Sequence, residues 1–212
     1  CRAGSPGHRT MSRAMFRFPH TPPRYLGVDI SPSSVKVVEL ACENEQLTLK
    51  GYAIVPVAPA DPKAKPREDG RLQLAGGAIR KAMRQLGTRL PQAVTAVPTS
   101  AVIAKILTFP ASLNEDDIEA QIELEAEQYI PYPLEDVSLD FFVVGPSEKL
   151  PGSVDVQVVA SRKEYVEDRA AALEWAGLRA AAVDVESFAM MRACARLMAQ
   201  QSGDPDEVYA IS

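Results

Sequence analysis

Apolar residues recur along this chain with two periods, and the switches between them divide it into elements. Tyr25–Leu40 holds two β-rich runs, Tyr25–Ile30 and Val35–Leu40, joined by the polar bend Ser31-Pro32-Ser33-Ser34, which predicts a tight hairpin. Gln46–Val55 reads as a third strand. Four prolines between Pro56 and Pro66 then forbid regular structure. Leu72, Ala75, Ile79, Ala82, Met83 and Leu86 return at helical spacing, so residues 70–86 form an amphipathic helix ending at Gly87. Ala93–Val97 is a short buried strand. The order β-β-β-α-β predicts a mixed sheet with a helix packed on it, and the hairpin carrying Asp29 is expected at an edge of that sheet.

The second half repeats the alternation. Val102–Phe109 is a strand, and Asn114 caps a helix whose first turn, Glu115-Asp116-Asp117, suits the helix dipole. That helix runs to about Tyr129 and stops before Pro131. Its apolar stripe is Ile118, Ile122 and Tyr129, and its acids form a solvated face. In the following segment Tyr129 precedes Pro131 and Tyr132 stands between Pro131 and Pro133, with Leu134 close behind. This stiff bend either walls a groove for a partner peptide or is ordinary packing between strand and helix. Strands at Val137–Val144 and Val154–Ser161 follow, then a helix over Arg162–Ala176 closing on Gly177. Leu178–Val185 is a strand and Glu186–Gln201 a helix with Phe188, Met191 and Met198 on one side, its methionines expected in the core. Glu207–Ile211 begins another strand.

Charge sharpens this picture. Residues 1–24 contain five arginines and no acid, whereas the remainder holds 18 basic against 28 acidic side chains. The N-terminal stretch reads as a disordered, solvated tail, with Met11 or Met15 as candidate natural starts. The acidic body argues against nucleic acid as a partner. His8 and His20 both fall in the tail, so histidine-based catalysis in the body is excluded. Cys42 and Cys194 are far apart and are expected as small buried apolar groups in a reducing cytosol. The sequence contains no run of about 18 apolar residues suited to a spanning helix.

The opening hairpin is the main candidate for chemistry. A bend with several hydroxyls and backbone N–H groups can form a nest for phosphate, with Asp29 holding a hydrated Mg²⁺ alongside. The same residues also satisfy ordinary turn chemistry.

Three segments, YLGVDISPSSVKVVEL, SLNEDDIEAQIELEAEQYIPYPLEDVSLDF and VASRKEYVEDRAAALEWAGLRAAAVDVESFAMMRA, resemble the PilM family, the actin-like, FtsA-related proteins of type IV pilus assembly. The resemblance implies an actin-like (ribonuclease H-like) α/β fold. Residues 25–97 would be the first part of subdomain IA and 98–161 subdomain IC. Residues 162–212 would return through IA and begin IIA, stopping before a second phosphate loop. By the same resemblance Asp29 approaches Mg²⁺ through water, Ser31, Ser33 and Ser34 approach the terminal phosphates of ATP, and Lys36 lies near the γ-phosphate. Glu186 matches the carboxylate that actin-like ATPases use beside the attacking water; its alternative role is to stabilise its own helix N-terminus. Many relatives carry Gly where Ser31 stands, and Ser31-Pro32 stiffens the turn and removes one N–H donor.

The function implied is a cytoplasmic, nucleotide-binding scaffold of pilus biogenesis and twitching motility, at most a weak ATPase. It would bind the N-terminal peptide of PilN and sit at the inner-membrane platform, peripheral to the membrane through that partner. The candidate peptide residues are Tyr129, Tyr132 and Leu134. Two other readings are an FtsA-like cell-division filament protein and a phosphotransferase or polyphosphatase of the same superfamily. No paired carboxylate is placed for the latter. Residues 1–212 are expected to show no turnover and to bind Mg-ATP more weakly than about 1 mM.

Overall fold

The computed structural model describes residues 24–43, 46–57 and 68–200. The basic tail up to residue 23, most of the Pro-rich connection and the expected strand at Glu207–Ile211 lie outside the described residues. Eight strands and four helices follow one another: β1 (Leu26–Ile30), β2 (Ser34–Glu43), β3 (Gln46–Pro56), α1 (Glu68–Leu86), β4 (Gln92–Val97), β5 (Val102–Pro110), α2 (Glu115–Ala126), β6 (Val137–Pro146), β7 (Ser153–Arg162), α3 (Lys163–Trp175), β8 (Arg179–Val185) and α4 (Glu186–Gln200).

The strands form two sheets. Five take the order β3-β2-β1-β4-β8 and three the order β5-β7-β6. In the larger sheet β1, β2 and β3 meander antiparallel, whereas β4 and β8 run parallel to β1. The chain therefore leaves the first sheet after β4, builds the second, and returns through α3 to add β8. The Asp29 hairpin is not at an edge. β1 is the central strand, because two parallel crossovers add β4 and β8 on its far side, and the edge falls to β3.

Alternation decides which side is buried. Val28, Ile30, Val35, Val37, Ala53, Val55, Ala93 and Val97 turn to one face, where Ile79 and Ala82 of α1 and Ala172 and Leu173 of α3 cover them. The two helices approach closely at Gly76, where an added Cβ would lie 2.4 Å from the Cβ of Trp175. The smaller sheet is covered on one face by α2, through Ile118 and Ile122 against Phe109, Val156 and Val158. Asn114 caps α2 by accepting the Asp117 N–H at 2.9 Å, as the acid-rich first turn predicted. Gly87 and Gly177, at φ +65° and +84°, end α1 and α3 in the left-handed conformation that glycine adopts freely.

Three burial expectations fail. α2 ends at Ala126, which takes the place of Tyr129 on the buried stripe. Cys42 is exposed and Cys194 only half-buried. Met190, Met191 and Met198 of α4 are exposed. Helical periodicity marks an apolar face, and of that face Phe188 meets the ring of Phe142 edge-on at 6.2 Å while the methionines stay exposed.

Candidate functional site

Antiparallel pairing sets Lys36 directly opposite Asp29. Its ammonium donates to Asp29 Oδ2 at 2.6 Å. Both residues lie on the face of the large sheet opposite α1 and α3, and both reach solvent. The hydrogen bond and charge of Asp29 hold the Lys36 ammonium above the ordinary lysine value of 10.5. Desolvation opposes this slightly, and Glu186 adds to it from the start of α4. Asp29, Lys36 and Glu186 are thus brought into one electrostatic neighbourhood from three elements.

The Ser31–Ser34 bend is more self-contained than the sequence predicts. The Ser31 N–H donates to the Ser34 carbonyl at 2.9 Å, and the Ser31 hydroxyl donates to the same oxygen at 2.8 Å. The two hydroxyls lie 3.2 Å apart. The Ser33 carbonyl accepts the Val57 N–H at 2.9 Å, tying the bend to the end of β3. Both donors of Ser31 are therefore spent inside the turn, whereas Ser33 is exposed. An exposed carboxylate, its paired ammonium and the exposed Ser33 hydroxyl fit a hydrated cation with phosphate; a backbone nest centred on Ser31 does not fit. Among the described residues no group of three or more His, Cys, Asp or Glu side chains is placed to hold a metal ion.

The tyrosine bend forms a second region. Tyr129 is half-buried, packing against Ala126, Ile130 and Val137. Its hydroxyl is buried without a partner among the described residues. Burial, with the nearby Glu125 charge adding, pushes its pKa above the usual 10.0. The Lys105 ammonium sits 4.4 Å from the Tyr129 ring centre. Tyr132 is exposed, and the Arg162 guanidinium lies 5.5 Å from its ring and 5.8 Å from that of Tyr165. Leu134 is half-buried against the same cluster as Tyr129. Ile103, Ile130, Val137, Ala160, Tyr132 and Arg162 line a crevice of about 10 Å³, room for one water.

Sequence reasoning missed Arg162 and Lys105, which the fold sets over Tyr132 and Tyr129, both distant in the chain. It also passed over Asp184, which accepts the Val185 N–H at 2.8 Å and pairs with Arg192 of α4. Asp184 stands two residues before Glu186 in a strand-to-helix junction, and that spacing was the available signal.

Among the described residues no helix is long and apolar enough to cross a membrane. The family model described as type IV pilus assembly protein PilM matches residues 27–211. The solved structure of the PilM–PilN type IV pilus biogenesis complex contains a chain 32% identical, with a TM-score of 0.67 over 82% of this chain. This chain spans about half (51%) of that protein. The cytoplasmic domain of EpsL, an inner-membrane component of the type II secretion system of Vibrio cholerae, matches at 15% identity and TM-score 0.44, covering 76% of this chain and 57% of its own. A Bacteroides thetaiotaomicron protein with an actin-like ATPase fold matches at 11% and 0.38, covering 86% and 60%. These two lie too far off to carry further argument. The fold is the actin-like α/β fold, and the chain belongs to the PilM family of type IV pilus assembly proteins.

Proposed function

We propose that this chain acts as a cytoplasmic scaffold of the pilus machine, docking the N-terminal tail of an inner-membrane partner of the PilN kind. Likeness to the PilM chain of a PilM–PilN complex carries this reading. The Tyr129–Leu134 bend supplies the candidate surface. The crevice beside it is too small for a side chain, so a tail would lie across its mouth against Tyr132 and the stem of Arg162. Prolines on both sides of Tyr132 keep that ring ordered before binding, which lowers the entropic cost of docking. Association with the membrane would then run through the partner.

Mg-ATP is the second proposed ligand, held by Asp29, Ser33, Lys36 and Glu186. When bound, Mg²⁺ would offset phosphate charge that the Asp29 carboxylate alone repels. Ser34 contributes at most its hydroxyl, and Ser31 remains a structural part of the bend. Binding of nucleotide by this chain is expected to be millimolar or weaker, without turnover, because strong charge stabilisation needs donors converging from both sides of a water-excluding cleft.

The test is a calorimetric titration with the N-terminal peptide of the PilN-type partner. Tyr132→Ala should weaken binding by about 1 kcal/mol or more if the ring is an anchor. Unchanged affinity would remove Tyr132 from the surface, and absence of binding by the unaltered chain would remove the scaffold reading from this segment.

A further inference from the structure

The exposed faces of α1 and α2 carry opposite charge. From Gly70 to Leu90 the chain holds five cations, Arg71, Arg80, Lys81, Arg84 and Arg89, and no acid. From Glu115 to Glu127 it holds seven acids and no cation. On α1, Arg80, Lys81 and Arg84 are exposed and stand three, four and seven residues after Gly77, so all four share one stripe. That stripe borders α3, where Arg80 donates to the Trp175 carbonyl oxygen. The Trp175 ring is half exposed there, with Glu174 beside it.

Each patch has an unusual centre. Gly77 is exposed in the interior of α1, and an added Cβ there would meet nothing within 4 Å. Contact with Trp175 explains its neighbour Gly76, but among the described residues nothing approaches Gly77, and its φ is not left-handed. Glycine costs helix stability relative to alanine. What it offers in return is bare backbone, open to close approach from outside. Leu124 is the converse. It is 80% exposed, the most exposed large apolar side chain among the described residues. Asp117, Ala120 and Glu127 share its face of α2, and all three are exposed.

We propose that α2 of one copy of this chain docks on α1 of a second, with Leu124 seated over Gly77 between Arg80, Lys81 and Arg84. A knob of one helix entering a gap in another is the ordinary mode of helix packing, at roughly 8–10 Å between axes. Asp117 and Glu127 then face the cations. Opposite charge steers this approach and rejects the like-charged pairings of α1 on α1 and α2 on α2. Because the two faces differ, the contact is head-to-tail, and each copy keeps one face open for the next. One helix pair buries well under the standard interface of about 1,600 Å², so the Kd is expected at about 0.1–1 mM. The inference stands apart from the tail and nucleotide readings.

The test is sedimentation velocity from about 20 µM to 2 mM chain, a range that brackets this Kd. The sedimentation coefficient should rise with concentration past that of a dimer. Raising NaCl from about 50 to 500 mM should raise the Kd at least about fivefold. Gly77→Leu should raise it at least about tenfold by filling the gap, while the melting temperature holds or rises, which separates docking from folding. Leu124→Ser should weaken association similarly. Lys81→Glu with Arg84→Glu, and Glu123→Lys with Glu127→Lys, should each leave a monomer. An equimolar mixture of these two variants should associate again, because one supplies an unaltered α2 and the other an unaltered α1. A chain that stays monomeric to about 2 mM at low salt would overturn the inference. A Gly77→Leu Kd within about twofold of the unaltered chain, or charge variants that fail to associate when mixed, would do the same. Binding to anionic lipid vesicles without self-association, lost in Lys81→Glu with Arg84→Glu, would assign α1 to a membrane surface and equally overturn it.

Discussion

The two faces of the five-stranded sheet are made from the same strands and differ in nearly everything else. One is roofed by α1 and α3 and contains fully buried Leu26, Val35, Ile79 and Leu173. The other carries Asp29, Lys36, Ala96 and Asp184 near the strand ends, and over β3 it leaves Tyr52 and Ile54 67% and 57% exposed. Alternation along each strand separates the two, since side chains of neighbouring residues point to opposite faces. The closed face supplies stability, and the open face is free to hold charge, because its charged groups keep water and each other as partners. Stability and candidate chemistry are thereby divided by one residue of register.

The largest effect that tests this division is expected on the roofed side. Leu173→Ala should cost about 2–5 kcal/mol in denaturant unfolding, the range for a fully buried leucine whose surroundings relax only partly. A loss below about 1 kcal/mol would mean that α3 is not fixed to the sheet. Gly76→Ala comes next. An added Cβ meets the Cβ of Trp175 at 2.4 Å and the Ala172 carbonyl oxygen at 3.2 Å, so α1 and α3 must move apart, at about 1–3 kcal/mol. A stabilised variant would show that helix propensity outweighs the contact.

Changes on the open side should be smaller. The folded-state pKa of Lys36 is raised, chiefly by Asp29. The pair's contribution is therefore fully present below the unfolded lysine pKa and is lost as pH rises through the folded one. Unfolding curves of the unaltered chain and of Lys36→Gln should run parallel up to about pH 10 and converge above it. The gap that closes should stay within about 1 kcal/mol, the usual ceiling for a screened surface pair. A gap that instead closes near pH 4 would assign the coupling to carboxylate protonation. Ile54→Thr should change stability least, by no more than about 0.5 kcal/mol. A larger loss would show that this part of the open face is covered in solution.

Local features were legible because neighbouring residues encode them. The Tyr25–Leu40 hairpin, the Asn114 cap, the Gly87 and Gly177 stops and the strands at Val137 and Val154 all follow from period and turn chemistry. The candidate site was half legible. Asp29 and Lys36 could be named from the hairpin, and Glu186 from the resemblance. That Ser31 spends both its donors on the Ser34 carbonyl was not legible, since a Ser-rich bend is compatible with donors turned either way. The methionines of α4 show the same limit from another side: an apolar stripe states that a helix face seeks cover and is silent on whether cover is present.

By itself, then, the sequence determined the order and type of the elements, the family, and which side of each strand is apolar. These depend on backbone propensity, side-chain period and short-range hydrogen bonds, whose partners lie within a few residues. Only the tertiary structure decided that β1 is central, that β8 returns beside β4, and that Asp184 therefore pairs with Ala96 in the sheet that carries Asp29. Those outcomes depend on contacts between residues 67 to 88 positions apart, where many pairings satisfy the same local pattern and cooperative packing of the whole sheet against α1 and α3 selects one.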